Sequence, residues 1–265
     1  MFALTWALIV GPGHGWTSQA FVVRLVAGVA LFLAFCGVER RKPHPMLDLS
    51  LFAAPAFLGA VIAMFAYAAS AQVMASLLPL FLQNAKGQTA LMAGLGMLPF
   101  ALAMLAFPQI GRRLSRYLKS PQILVLGLAI VGAGNLAMMV AATQHSEWLL
   151  VASMALLGSG GGLLNGETTK AIMGTVPRHR AGMASGISTT ARFSGILLGF
   201  ASLGAVLASA VRSAIQAGML RAGIPLQAGF ADDVVAGDLE RAKALYPHAL
   251  GETLVSLAHD SYGQG

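Results

Sequence analysis

Charge is scarce in this chain of 265 residues: 17 Lys/Arg and 10 Asp/Glu make up 10% of it, against roughly a quarter in ordinary soluble domains. So few charged groups cannot cover a globule of this size. That excludes a soluble enzyme, a nucleic-acid binder and a disordered segment. Cysteine is scarcer still. Cys36 stands alone in an apolar run, so no intrachain disulfide can form. Enzyme signatures are missing too. His14, His44, His145, His179, His248 and His259 all lie in connectors or the tail, with no i,i+4 pair and no HExxH. No catalytic residue, metal site or cofactor is expected. The glycine-rich run at Gly158-Ser159-Gly160-Gly161-Gly162 has no Lys-Ser/Thr at the spacing of a phosphate loop. Its expected use is close backbone packing, or a flexible point within a helix.

What the chain has in excess is apolar length, with 57% hydrophobic residues. A helix crossing a hydrocarbon core about 30 Å thick needs about 20 mostly apolar residues. Six full candidates meet that length: 20–38, 54–82, 90–110, 121–142, 148–174 and 183–211. Residues 2–10 are also apolar, but ten residues rise only about 15 Å. That stub is read as the end of a longer helix, not as a span or a signal peptide. The expected fold is all-α, a polytopic transmembrane helical bundle of six spans plus an N-terminal partial helix.

The charges fall in patches. Residues 1–211 hold 13 Lys/Arg and 4 Asp/Glu, whereas 212–265 hold 4 and 6. Three alternate connectors carry nine Lys/Arg, namely 39–45, 111–119 and 177–180, and the intervening set carries one, Lys86. Positive short loops stay in the cytoplasm, so the basic connectors are expected there and the tail outside. Trp16 and Trp148 then fall near the outer interface. In the tail, Val234, Val235, Leu239, Ala242 and Leu245 suggest a short amphipathic helix.

Four ionisable residues lie within the spans, where each costs at least about 2.5–3.5 kcal/mol to insert. Arg24 is close to an outer boundary and can snorkel. Glu167 and Lys170 are i,i+3 neighbours on one helix. Glu167 lies about eleven residues before the Pro177–Arg180 connector centre and Arg192 about thirteen after it, which puts them within about 3 Å in depth. Glu167, Lys170 and Arg192 are therefore candidates for a charge cluster, read either as a structural ion pair or as a gate or proton-coupling site. Span 54–82 carries Tyr67, Ser70, Gln72 and Ser76 near its middle, as candidates for lining a wet cavity. Asn135 is read as interhelical glue. Gly182 and Gly186, and Gly195 and Gly199, are each four apart, a spacing that suits close helix packing. Pro79, Pro99 and Pro108 lie in or at the ends of spans, where proline kinks a helix.

The runs Gly160-Gly161-Gly162-Leu163-Leu164-Asn165-Gly166-Glu167-Thr168-Thr169, Val176-Pro177-Arg178-His179-Arg180-Ala181-Gly182-Met183-Ala184-Ser185-Gly186 and Thr189-Thr190-Ala191-Arg192-Phe193-Ser194-Gly195 resemble the major facilitator superfamily. The branch is that of the fourteen-helix drug:proton antiporters of the EmrB/QacA type. Gly13-His14-Gly15-Trp16-Thr17-Ser18, Met46-Leu47-Asp48-Leu49-Ser50-Leu51-Phe52 and Leu78-Pro79-Leu80-Phe81-Leu82-Gln83 fit as well.

The resemblance covers nearly all of 1–211 and implies the C-terminal half of such a transporter. Residues 1–52 would hold the end of one central helix, a second central helix and a cytoplasmic linker. Residues 53–211 would hold five of the six helices of the C-terminal bundle, and 212–265 an external loop before a missing final helix. Spans 54–82 and 148–174 would line the central cavity, adding Asn165 to its candidates. Gly111, Arg112, Arg113 and Arg116 resemble a degenerate cytoplasmic loop motif that lacks its usual acidic residue.

The implied function is proton-coupled efflux of amphipathic drugs or toxic small molecules, cationic or aromatic, by alternating access in a bacterial inner membrane. The implied partners are the lipid bilayer, a small-molecule substrate, the proton and the missing N-terminal half, with no nucleic acid. A membrane-embedded enzyme, a structural or assembly membrane protein and a nonfunctional fragment are the competing readings.

Overall fold

The computed structural model describes residues 19–39, 48–84, 87–144, 146–222 and Phe230. The stub at 2–10, the amphipathic stretch of the tail, Trp16 and Lys86 lie outside the described residues. Helix α1 runs Gln19–Glu39 over the first expected span. A 3-10 turn, Leu49–Ala53, leads into α2, Pro55–Tyr67, with Pro55 in its first turn, where a missing N–H removes no intrahelical bond. A π-helical turn, Ala68–Gln72, joins α2 to α3, Val73–Asn84. Next come α4, Ala90–Gly96, and α5, Leu98–Leu114. The bundle continues with α6, Ser120–Gln144, α7, Glu147–Gly174, and α8, Ala181–Ala222.

Among the described residues, five segments are long and apolar enough to cross a bilayer: Pro55–Gln83, Ala90–Leu114, Ser120–Gln144, Glu147–Gly174 and Arg178–Arg221. Their outward faces are apolar. Leu102 is 61% exposed, Leu105 73% and Val125 68%. Water would penalise so much exposed hydrocarbon, whereas lipid solvates it.

Two boundaries differ from expectation. Span 90–110 is two helices, broken at Met97, because Pro99 starts a new helix in its own first turn. The last helix runs to Ala222, not 211. Val211, Ile215 and Met219 form a buried i,i+4 stripe that extends past the charge of Arg212. A boundary set by the first charged residue misses a helix whose apolar face continues.

The chain divides into two compact units. The first, Met1–Ala75 with Met97–Ala201, holds α7 at its centre. The glycines of α7 explain why. At 100° per residue, Gly158 and Gly162 share one face, Gly160 points nearly opposite, and Gly161 points between them. A Cβ at Gly158 would collide with the Phe100 carbonyl of α5, and one at Gly162 would stand 3.0 Å from the Met104 carbonyl oxygen. A Cβ at Gly160 would stand 2.8 Å from the Gly127 carbonyl oxygen of α6. Gly161 faces α2 and the π-turn, its Cβ position 3.6 Å from the Ala71 Cβ. Three helices thus reach α7 along three glycine faces, so the glycine run is a packing surface. The second unit, Ser76–Gly96 with Ser202–Gly265, buries Leu78, Leu82, Ala93, Val211, Ile215, Met219 and Phe230.

Candidate functional site

The charged candidates lie on α7 and α8. Glu167 is 8% exposed. Lys170 Nζ donates to its Oε1 at 3.3 Å and its Oε2 at 3.2 Å. The Ser120 hydroxyl, first in α6, donates to Oε1 as well. Glu167 stands seven residues before the last residue of α7, Gly174, about 10 Å along the axis. The Lys170 side chain is 58% exposed. The carboxylate therefore sits near the basic end of the bundle, tied to a lysine that reaches outward.

Arg192 is half-buried on α8, and its Nη2 lies 3.5 Å from the Thr169 hydroxyl. It belongs to no ion pair among the described residues. The pairs formed there are Lys170–Glu167 and Arg180–Asp48.

Tyr67 is 0% exposed, at the end of α2. Its hydroxyl has no hydrogen-bond partner among the described residues. The π-turn begins at the next residue, and the Ser70 hydroxyl donates back to the Ala66 carbonyl at 2.6 Å. Gln72 and Asn165 are half-buried, and Ser76 is exposed. Asn135 departs from its expected role, because its Nδ2 donates to Val131 of its own helix at 3.0 Å. An asparagine can satisfy itself on the carbonyl one turn back, which the sequence does not distinguish from a bond to a neighbour.

Across from the π-turn, α8 presents Gly195 and Gly199. A Cβ at Gly195 would stand 2.5 Å from the Phe65 carbonyl oxygen and 2.9 Å from the Ala68 Cβ. One at Gly199 would stand 2.5 Å from the Ala69 carbonyl oxygen. The numbers rise together, so α2 and α8 run parallel here in backbone contact. Gly182 and Gly186 meet nothing within 4 Å.

At the basic end, Gly111 is buried, with Leu163 Cδ2 3.2 Å from its Cβ position. Arg112, Arg113 and Arg116 are exposed. One feature was missed by the sequence reading. Asp48 caps the 3-10 turn, accepting from the Ser50 backbone N–H at 2.9 Å and its hydroxyl at 2.6 Å. Arg180 Nη1 donates to the other Asp48 oxygen, and the Asp48 N–H donates to Met183 Sδ at 3.3 Å. Bonds from Ser50, with a contribution from Arg180, hold the Asp48 carboxyl below its ordinary value. Asp48-Leu49-Ser50 is a visible capping signal, but its partner lies 132 residues away. Among the described residues no group of three or more His, Cys, Asp or Glu could hold a metal ion.

The fold and its lipid-suited faces define an integral membrane protein built as a helical bundle. The family model for the Major Facilitator Superfamily matches residues 1–200, and the chain belongs to that family. It is 35% identical over 221 residues to the multidrug resistance protein Stp of Mycobacterium tuberculosis, which covers 83% of this chain and 41% of that protein. The methylenomycin A resistance protein of Streptomyces coelicolor is 28% identical over 211 residues, covering 78% of this chain and 44% of the relative. The multidrug efflux pump LfrA of Mycolicibacterium smegmatis is 27% identical across 100% of this chain and 52% of its own length. The chain thus spans about half the length of these relatives.

Proposed function

We propose that this chain forms the C-terminal half of the helical machinery of a drug-efflux transporter, of the fourteen-helix, proton-coupled EmrB/QacA type. The observation that carries the reading is its similarity, over most of its described helices, to relatives named for multidrug resistance and efflux. Membership of the family and the names of these relatives favour transport over an enzyme.

The mechanism is alternating access: two bundles rock about a midplane cavity, and a ligand shifts which face is open. Here α2 and α7 border that cavity, with Tyr67, Ser70, Gln72 and Asn165 supplying polar groups. Glu167 takes up and releases the proton. Its carboxylate is poised for that between Lys170 and Ser120, and protonation would release Lys170. Arg192 lies a few residues deeper on the neighbouring helix. The connectors bearing Arg112, Arg113, Arg116, Arg178 and Arg180 face the cytoplasm, residues 212–265 face outward, and an N-terminal half completes the pathway.

Disrupting the gene in its native cells tests this. Amphipathic antibiotics should then accumulate to higher levels, and a protonophore should produce the same rise in undisrupted cells. Equal accumulation with and without the gene overturns the proposal.

A further inference from the structure

The cations at the basic end are not used alike. Arg180 holds Asp48, and Lys170 holds Glu167. Arg112, Arg113, Arg116 and Lys119 are exposed and belong to no ion pair among the described residues. No Asp or Glu occurs between Asp48 and Glu147, so the sequence around these four offers no partner. Like charges held close repel one another, and a loose loop would let them spread. This connector is pinned at both ends to α7. Gly111 seats its start against Leu163. Ser120 fixes its end by donating to Glu167, one turn further along the same helix. Between the two pins the backbone turns on itself. The Ser115 N–H donates to the Gly111 carbonyl at 2.9 Å, the Arg116 N–H to that of Arg113 at 3.2 Å, and the Leu118 N–H to that of Leu114 at 2.8 Å. The Gln122 side chain accepts from the Lys119 N–H at 3.0 Å. Folding therefore keeps four unneutralised cations together, an arrangement suited to an anion from outside the chain.

The surface leading to them is hydrocarbon. At 100° per residue, Leu98, Leu102, Leu105, Gln109, Arg112 and Arg113 of α5 share a face about 100° wide. All six are exposed. Phe100 and Gly111, which meet α7, lie on the opposite face, so packing leaves this one uncovered. Arg113 stands eleven residues beyond Leu102, about 16 Å of rise. One leaflet of a hydrocarbon core about 30 Å thick has that depth. Gln109 is the only polar side chain of α5 before Arg112. It lies one turn from Arg113, about 6 Å along the axis, level with the esters of a lipid whose phosphate meets the arginine. Tyr117, exposed beside Arg116, has the amphipathic ring that suits headgroup depth.

We propose that the 112–119 connector and the adjoining face of α5 bind an anionic phospholipid, with its phosphate on Arg113 and Arg116 and an acyl chain along Leu105 and Leu102. A soluble phosphate would engage the arginines and leave the leucines bare. A zwitterionic lipid would cover the leucines and leave the charge unneutralised. The site needs only the bilayer, so it stands independently of the transport reading.

Native mass spectrometry of the full chain in detergent tests the assignment, with phosphatidylglycerol and phosphatidylcholine of matched acyl chains added in equal amounts. The wild type should bind phosphatidylglycerol about tenfold more tightly. Arg113→Gln and Arg116→Gln should each weaken it about fivefold, and Arg113→Lys should keep most of the affinity. Phosphatidylcholine should respond to none of them. Arg178→Gln removes an exposed cation outside the connector and should leave both lipids unchanged. Excess glycerol 3-phosphate should not displace phosphatidylglycerol. Equal binding of the two lipids overturns the site. So does phosphatidylglycerol binding that falls as far with Arg178→Gln as with Arg113→Gln, the mark of diffuse surface attraction. Displacement by glycerol 3-phosphate overturns the lipid in favour of a soluble phosphate.

Discussion

Glu167 carries its charge at the margin of the apolar region, and its partner Lys170 is 58% exposed. Water screens such a pair, so its contribution to stability is at most about 1 kcal/mol. Glu167→Gln should leave the melting temperature in detergent nearly unchanged, because an amide oxygen still accepts from Ser120. Under the transport proposal it should also abolish efflux driven by the proton gradient. Efflux that remains fully proton-dependent would rule Glu167 out as the coupling group.

Asp48 lies outside the spans and has a depressed carboxyl pKa. A depressed carboxylate stabilises the fold above its unfolded value, near 3.8, and loses that contribution as pH falls through the folded value. The clamp between Asp48 and Arg180 is therefore complete at neutral pH and opens in strong acid. Hydrogen exchange at Leu49–Ala53, corrected for intrinsic rates, should stay slow from neutral pH down to the ordinary carboxylate range and quicken below it. Asp48→Asn should show the fast behaviour at every pH.

At the scale of elements, glycines decide which helices touch. The 2.5 Å gap from the Gly195 Cβ position to the Phe65 carbonyl oxygen leaves no room for a methyl. Gly195→Ala should destabilise the bundle by about 1–3 kcal/mol, the cost of overpacking. Gly186→Ala meets nothing within 4 Å and should be neutral, or stabilising by up to about 1 kcal/mol through helix propensity. Thermal unfolding of the two variants in matched detergent separates them. Equal shifts would mean that α2 and α8 do not meet at Gly195.

Apolar run lengths were enough to place the helices, because a bilayer-length stretch has few other uses. The π-turn left no such mark, since one extra residue per turn changes neither composition nor hydropathy. Position along each helix follows from the sequence, so Glu167 lies seven residues before Gly174 and Arg192 eleven after Ala181. Rotation about the helix axes does not. The contacts Ser120–Glu167 and Asp48–Arg180 join positions 47 and 132 apart, and only tertiary packing brings them together.

For the whole molecule, the surplus of positive charge lies in alternate connectors, which the proposed orientation puts in the cytoplasm. Tyr117 and Trp148 are each 85% exposed, and α6 separates them along the chain. In a Cys36→Ala background, Trp148→Cys should react with a membrane-impermeant maleimide on intact cells. Tyr117→Cys should react only after permeabilisation. The opposite pattern would invert the proposed orientation. Aromatic groups at both ends of the apolar belt suit the two interfaces of a bilayer.

The central proposal is that this chain forms half of a transporter that moves amphipathic compounds out of the cell, with Glu167 on its proton path. The most direct measurement is rhodamine 6G accumulation in native cells carrying the wild-type gene, a disrupted gene, or a chromosomal Glu167→Gln allele, with membrane levels of each protein matched by immunoblot. The account predicts low accumulation in the wild type and accumulation near the disrupted level in the variant. Accumulation in the disrupted strain and the variant that equals the wild type would contradict it.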